Sequence, residues 1–177
     1  MQALAVEPQQ AGVADARAGK YLAFHLGREE FGIRVLKVRE IIGVQDITSV
    51  PRTPGYMKGV INLRGKVIPV VDLRMKFGLE EMAYNTRTCI IVVQVVASEA
   101  SSAEGHGTML MGIVVDGVSE VLNLASADIE DTPDFGNGVA SPFLLGMAKT
   151  KGKVKILLDI DKVLSGLELK GLESILS

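Results

Sequence analysis

The chain repeats itself once, and this repeat limits the possible fold more than any other feature. Residues 59–73 (GVINLRGKVIPVVDL) align with residues 146–160 (GMAKTKGKVKILLDI) at a constant offset of 87 positions. Upstream, residues 31–42 (FGIRVLKVREII) align with residues 111–122 (MGIVVDGVSEVL) at an offset of 80. A strand-rich unit of about 60–80 residues that occurs twice predicts two small β-barrels packed against each other.

Apolar periodicity predicts short strands in both copies. Alternating apolar residues at 21–26 and 31–35 indicate a hairpin. Val38, Ile41 and Ile42 recur at three- and four-residue spacing, which indicates a short helical turn or an irregular strand end. Further strands are predicted at 60–63, 66–73, 87–97, 108–124 (with an irregular end), 143–147 and 153–160. No long helix lies between them to connect parallel strands, so the predicted fold class is all-β with about five strands in each barrel.

These patterns also predict the domain boundaries. Residues 1–19 are expected to form a flexible tail, because they are rich in Ala, Gln and Gly. Residues 20–164 form the folded domain, with one barrel at about 20–82 and the other at about 86–164. Apolar spacing predicts a short C-terminal helix at 165–177, although Gly166 and Gly171 oppose it. The polar, small-residue segment 98–107 is expected to be a dispensable hairpin loop.

Composition excludes several classes of function. Lys and Arg number 19 and Asp and Glu 21, so no basic excess favours nucleic acid or an anionic membrane. A single cysteine, Cys89, excludes an internal disulfide and a cysteine-built zinc site, and it fits a reducing compartment. The apolar stretch 89–97 is too short to span a bilayer. We therefore expect a cytoplasmic protein without membrane insertion.

Few residues are candidates for chemistry. Asp72 and Asp159 end equivalent strands, which suggests either a paired-carboxylate enzyme or two structural carboxylates. Their symmetric placement favours a structural role, in which each caps its own turn or pairs with a nearby Arg or Lys. Cys89 lies in an apolar strand, and His25 and His106 have no context that suggests a catalytic base. No phosphate-binding loop, cofactor motif or metal-ligand spacing is present, so neither a metal nor a cofactor is expected.

Two surface features remain. Arg64 lies at the tip of a tight turn, and its counterpart in the second copy is Lys151, so a cation suits this turn in both copies. The apolar residues at 35–42 are expected to fill the junction between the barrels in part and to form a binding patch in part.

Gly59 and its counterpart Gly146 are expected to have positive φ or to lie very close to another strand.

At this point the sequence resembles a known family, the CheW-type chemotaxis coupling proteins. The resemblance extends over about residues 20–164 and is most specific in the GVINLRGKVIPVVDLR run. The matching segments are FGIRVLKVREII at 31–42, PRTPGYMKGVINLRGKVIPVVDLRMKF at 51–77, GIVVDGVSEVL at 112–122 and ILLDIDKVL at 156–164.

The resemblance implies two SH3-like five-stranded barrels and a noncatalytic adaptor. Such an adaptor couples the regulatory domain of the histidine kinase CheA to the cytoplasmic tips of methyl-accepting chemoreceptors in signalling arrays. It also implies that Val38, Glu40, Gly59 and Arg64 contact partners, with Val38 and Glu40 at a barrel edge and Arg64 nearer a groove for a receptor helix. Two alternatives stay open: a chemosensory system with an output other than flagellar motility, and a double barrel that binds a small molecule.

Overall fold

Eleven strands and two one-turn helices account for most of the described residues. The computed structural model describes residues 16–96, 107–132 and 142–165. The strands are β1 (Gly19–Leu26), β2 (Glu29–Arg34), β3 (Val38–Gly43), β4 (Met57–Leu63), β5 (Lys66–Asp72), β6 (Cys89–Val96), β7 (Thr108–Val115), β8 (Gly117–Leu124), β9 (Ile129–Glu130), β10 (Leu144–Thr150) and β11 (Lys153–Leu158). Helix α1 is Leu73–Lys76, helix α2 is Ile160–Val163, and 3-10 turns cover Val35–Lys37 and Ser126–Asp128.

The strands form two sheets, as expected for two SH3-like barrels in an all-β fold. One sheet has the order β3-β6-β7-β5-β4, and the other has the order β8-β1-β2-β11-β10-β9. We call the barrel built on the five-stranded sheet barrel 1 and the barrel built on the six-stranded sheet barrel 2. All the neighbouring pairs are antiparallel except two, β5 with β7 and β2 with β11.

The predicted barrel boundaries, about 20–82 and 86–164, are wrong because the two halves of the chain exchange strands. β1 and β2 belong to the first half but pair with β8 and β11 in barrel 2. β6 and β7 belong to the second half but pair with β3 and β5 in barrel 1. The chain therefore crosses between barrels twice, at Val35–Lys37 and at Asp116. A repeat in sequence identifies equivalent strands, but it does not say which copy supplies each neighbour.

The exchange is reciprocal, because the two parallel strand pairs that it creates have the same register. In barrel 1, Val70 pairs with Gly112, and in barrel 2 the equivalent Leu157 pairs with Gly32. The β4–β5 turn also recurs, with φ of 53° at Arg64 and 52° at Lys151. Both copies thus keep the same backbone despite differing in many side chains.

Other sequence predictions have mixed outcomes. The 21–35 hairpin is present as β1 and β2. Of the two alternatives for 38–42, the helical turn is wrong, and an irregular strand is present as β3, whose register with β6 shifts between Val38 and Glu40. Residues 117–124 form the full strand β8, whose irregularity is a shift of its register with β1 between Ala23 and Phe24.

Of the predicted tail 1–19, residues 1–15 lie outside the described residues, as do most of the 98–107 loop and the helix predicted after residue 165. The end of that tail is not free, because Arg17 donates to the carbonyl oxygen of Leu145 at 2.8 Å and Gly19 begins β1.

The main core joins the two barrels. Its buried residues come from both sheets and both helices, including Phe24 and Ile33 in barrel 2, Ile91 and Ile113 in barrel 1, and Val163 in α2. A separate small cluster fills each barrel. Burial of this shared apolar surface holds the barrels in one arrangement. Neither of the described helices is long and apolar enough to cross a membrane.

Glycine is required at position 59 because the backbone at Thr48 pairs closely with β4 there. The φ of Gly59 is +139°, and a Cβ atom there would lie 2.0 Å from the carbonyl oxygen of Thr48. Gly146 has φ of +155°, and its Cβ atom would lie 2.7 Å from the carbonyl oxygen of Glu130. Both features expected of this glycine pair, positive φ and close backbone approach, are confirmed.

We predict that Gly59→Val lowers the free energy of unfolding by about 3 kcal/mol or more, because the strain and the clash act together. Gly146→Val should also destabilise, by a smaller amount. Gly43→Val is the control, because a Cβ atom on Gly43 meets nothing within 4 Å. Denaturant unfolding of the three variants measures the difference, and equal stability of Gly59→Val and Gly43→Val would contradict this explanation.

Candidate partner-binding surface

Glu40 and Arg64 form a two-point ion pair on barrel 1. Arg64 Nη1 donates to Glu40 Oε1 at 2.6 Å, and Arg64 Nη2 donates to Glu40 Oε2 at 2.8 Å. Glu40 lies on β3 and Arg64 at the β4–β5 turn, and β3 and β4 are the two edge strands of the sheet. The pair therefore spans the gap between the sheet edges, which we call the seam of barrel 1.

The ion pair fixes the direction of an exposed guanidinium. The Arg64 side chain is 72% exposed, whereas that of Glu40 is 28% exposed. The hydrogen bonds from Arg64 hold the pKa of Glu40 below its usual value, and Glu40 in turn raises the pKa of Arg64. Two of the five guanidinium donors satisfy Glu40, so others can reach a partner in a fixed geometry.

Barrel 2 carries a looser version of the same pair. Lys151 Nζ lies 3.2 Å from Glu120 Oε1 at the equivalent seam, and Glu120 Oε2 lies 4.0 Å from the buried Lys155. An ammonium group cannot make the parallel two-point contact of a guanidinium. The seam of barrel 2 therefore holds its cation less rigidly than that of barrel 1.

The other two predicted contact residues have mainly structural surroundings. Val38 is half-buried and packs against the main core, two residues before Glu40. Gly59 is buried on β4, where it permits the close approach of Thr48. The structure thus brings Glu40 and Arg64 together, places Val38 beneath the same edge, and leaves Gly59 as a backbone support.

A second surface, an apolar groove of about 640 Å³, opens at the junction of the barrels. β1, β2, β10 and β11 form one wall, and residues that follow α1 form the other. Its apolar lining residues are Leu26, Phe31, Phe77, Leu79, Phe143, Leu144, Met147, Ile156 and Leu158, with Arg28 and Glu29 at the rim. Arg64 is not part of this lining, so its expected place near a groove for a receptor helix stays a prediction.

Sequence analysis did not identify the residues that line this groove. Its walls come from four separate segments, and apolar residues that line a groove have the same periodicity as residues that fill a core. Phe31 stacks between Phe24 and Phe77 at centroid distances of 6.0 and 5.9 Å, which joins the wall of barrel 2 to the end of α1.

The carboxylates considered for catalysis cap helices, as the symmetric placement predicted. Asp72 accepts hydrogen bonds from Arg74 N at 2.9 Å and from the Tyr84 hydroxyl at 3.1 Å. Asp159 accepts from Lys162 N at 3.4 Å. Burial, followed by the charge of Asp72, raises the pKa of Tyr84, so its hydroxyl stays a donor. Each carboxylate is thus engaged by its own helix.

Cys89 has the surroundings of a structural thiol. Burial raises its pKa above the usual value, which favours the neutral thiol over the nucleophilic thiolate. Cys89 shares a polar cleft with Arg87, Asp116 and His25, and the His25 side chain is half-buried.

In the part of the chain that the structure describes, no group of three or more metal-ligating side chains is present. His106 lies outside the described residues.

A double barrel with a rigid surface ion pair and an open apolar groove has the features of an interaction module. Comparison with known proteins agrees, since residues 20–168 match the family model of the CheW-like domain. The chain is 40% identical over 150 residues to "Chemotaxis protein CheW" of Klebsiella aerogenes, which covers 85% of this chain and 84% of that protein. The chain therefore belongs to the CheW family of chemotaxis scaffold proteins.

Further relatives support this assignment. "Chemotaxis protein CheW" of Rhizobium meliloti is 34% identical over 142 residues, covering 80% of this chain and 84% of its own. "Protein FrzA" of Myxococcus xanthus is 29% identical over 160 residues, covering 89% of this chain and 92% of its own. The crystal structure of the scaffolding protein TtCheW from Thermoanaerobacter tengcongensis superposes with a TM-score of 0.71 at 30% identity, covering 85% of this chain and 95% of that one.

We predict that Arg64→Ala raises the pKa of Glu40 toward its ordinary value near 4.5. Since the native pKa is lowered, the ion pair contributes stability at neutral pH and loses it as pH falls through that lowered pKa. An NMR titration of the Glu40 carboxyl carbon measures the shift. Lys151→Ala is the matched control and should leave the pKa of Glu40 unchanged; an unchanged pKa in Arg64→Ala would show that the pair does not form in solution.

Proposed function

We propose that this chain is a noncatalytic adaptor that couples the cytoplasmic tips of chemoreceptors to the regulatory domain of the histidine kinase CheA. The observation that carries the proposal is the Glu40–Arg64 pair, which holds an exposed guanidinium in a fixed direction at the seam of barrel 1. Arginine is enriched among the few residues that contribute most of the binding energy of protein–protein interfaces. In this role the protein acts in the cytoplasm and reaches the membrane through its partners.

The apolar groove supports the second half of the proposal. Its lining is almost entirely apolar and includes three phenylalanines, while Arg28 and Glu29 lie at the rim. An amphipathic helix binds such a groove with its apolar face and leaves its polar face to the rim and the solvent. We assign this groove to a helix of the receptor tip.

The two surfaces are distinct, which suits an adaptor. Arg64 and Glu40 lie at the seam of barrel 1, whereas the groove is built largely on barrel 2. We therefore assign the seam of barrel 1, with Val38 and Gly59 as its supports, to the kinase regulatory domain. The shared core fixes the two surfaces relative to each other, so a protein bound at one surface has a defined position relative to the other.

A second candidate is the same adaptor role in a chemosensory system that controls something other than flagellar motility. The similarity to "Protein FrzA" of Myxococcus xanthus favours keeping this candidate. A barrel that binds a small molecule would use the groove as its site. Such a protein would bind neither the kinase domain nor the receptor fragment, so the affinities below separate this alternative from the adaptor.

We predict that Arg64→Asp weakens binding to the kinase regulatory domain by about 30-fold or more, the scale of a hot-spot residue. Lys151→Asp, the equivalent change on barrel 2, should weaken it much less. Calorimetric titration of both variants measures the affinities, and melting curves verify that both are folded. Equal, small losses would mean that Arg64 is only a solvated turn residue. In the double variant Glu40→Arg/Arg64→Glu the ion pair is kept with its charges exchanged. We expect it to be as stable as the unchanged protein but to bind the kinase regulatory domain as weakly as Arg64→Asp does.

The groove has its own matched pair of variants. Leu79 lines the groove and is 39% exposed, whereas Met82 is 38% exposed three residues later but is not among the lining residues. We predict that Leu79→Glu weakens binding to a receptor-tip fragment about tenfold or more, because a charge would enter an apolar contact. Met82→Glu should change the affinity little. Equal affinities of the two variants would place the receptor elsewhere.

A further inference from the structure

The apolar groove has a counterpart on barrel 1. Five residues that line the groove have equivalents in the repeat, at offsets of 80 or 87, and these equivalents line one apolar depression. The equivalent pairs are Phe31 with Met111, Phe77 with Leu164, Phe143 with Tyr56, Leu144 with Met57, and Leu158 with Val71. We call the groove of about 640 Å³ the open groove and this depression the closed groove, because the depression has no room for a water molecule.

The walls of the closed groove are buried more deeply than their equivalents. Met111 and Leu164 are only 0% and 2% exposed. Their equivalents in the open groove, Phe31 and Phe77, are half-buried. Apolar side chains at the mouth of a groove lose their contact with water when other atoms cover them, and this burial is favourable. The difference in exposure therefore indicates a cover over the closed groove.

The sequence that follows each helix also repeats. Residues 78–80 after α1 read GLE, and residues 166–168 after α2 read GLE, one residue later than the offset of 87. Leu79 of the first copy lines the open groove, and its backbone N–H donates to the carbonyl oxygen of Arg74 at 2.8 Å. The equivalent leucine of the second copy is Leu167. It comes three residues after Leu164, which lines the closed groove.

The segment 166–177 has the apolar content that a cover requires. Five of its twelve residues are large and apolar, namely Leu167, Leu169, Leu172, Ile175 and Leu176. Three of these leucines recur at spacings of three and four residues, which is typical of one face of a helix. Such a face gains free energy when it packs on apolar surface and leaves water.

Charge distinguishes the closed groove from the open groove. Lys76 lines the closed groove, and its Nζ lies 4.2 Å from the centroid of the Tyr56 ring. The residues of barrel 2 at these two positions are Val163 and Phe143, so the cation belongs to the closed groove alone of the pair. The segment 166–177 carries acidic residues at 168 and 173. Complementary charge of this kind favours the closed groove as the place where the segment binds.

We propose that residues 166–177 of this chain bind the closed groove, with Leu167 against its apolar wall and Glu168 beside Lys76. The chain then fills one of its two equivalent grooves with its own segment and leaves the open groove for another protein. This explains how a molecule built from two similar barrels presents one apolar groove of this kind. The proposal concerns contacts within the chain and does not depend on the proposed function.

Methionine methyl groups report on both grooves in the full-length chain. Met57 lines the closed groove, and Met147 lines the open groove. A soluble paramagnetic compound speeds the relaxation of methyl protons that solvent can reach. Leu167→Glu should increase this relaxation at Met57 and leave it unchanged at Met147, because the charged side chain would leave the apolar wall. The matched control, Leu79→Glu, should leave relaxation at Met57 unchanged.

The contact itself is measured in the unchanged chain, so the test does not depend on the folding of a variant. We expect nuclear Overhauser effects between the ε-methyl group of Met57 or Met111 and the methyl groups of Leu167, which the conservative variant Leu167→Ile assigns. Absence of these effects, or equal relaxation of Met57 in Leu167→Glu and Leu79→Glu, would overturn the proposal. Samples that mix labelled with unlabelled chains identify the occupant. Effects that arise only between two chains would place a second copy on the closed groove and would also overturn it.

Discussion

The parallel pairing of β2 with β11 and of β5 with β7 is the constraint on which the rest of the structure depends. Each pairing joins a strand from one half of the chain to a strand from the other. As a result neither barrel is complete without both halves, and the chain must cross between barrels at Val35–Lys37 and at Asp116. The main core forms around these crossings, which is why it includes residues of both sheets.

Function follows from this rigidity under the adaptor proposal. The seam of barrel 1 presents Arg64 in a direction set by Glu40, and the groove presents apolar side chains on barrel 2. Two proteins bound to these surfaces would be held at a defined separation and angle. A scaffold needs no chemistry of its own for this role, and Asp72 and Asp159 serve as helix caps.

The sequence predicted what depends on local pattern. The repeat identified equivalent turns and glycines, and the structure gives Gly59 and Gly146 the positive φ that this equivalence implied. The pattern at 38–42 left a helical turn and an irregular strand as alternatives, and it did so for a local reason. The pairing register of β3 with β6 shifts between Val38 and Glu40, and a residue inserted in this way breaks the two-residue alternation of a strand.

What depends on distant partners could not be predicted. Glu40 and Arg64 are 24 residues apart, and only closure of the sheet into a barrel brings them into contact. The barrel boundaries failed for the same reason, since β2 pairs with β11, which lies in the other half of the chain. A single sequence shows each of these residues but not their pairing.

Reconstitution measures the central claim most directly. Membranes that carry a chemoreceptor are combined with the purified kinase, with and without this chain, and kinase autophosphorylation is followed as receptor ligand is added. The adaptor account predicts that ligand changes the rate only when the chain is present. The receptor and the kinase come from the organism of this chain, and the folded chain is present at saturating concentration. An autophosphorylation rate that does not change with receptor ligand under these conditions would contradict the account.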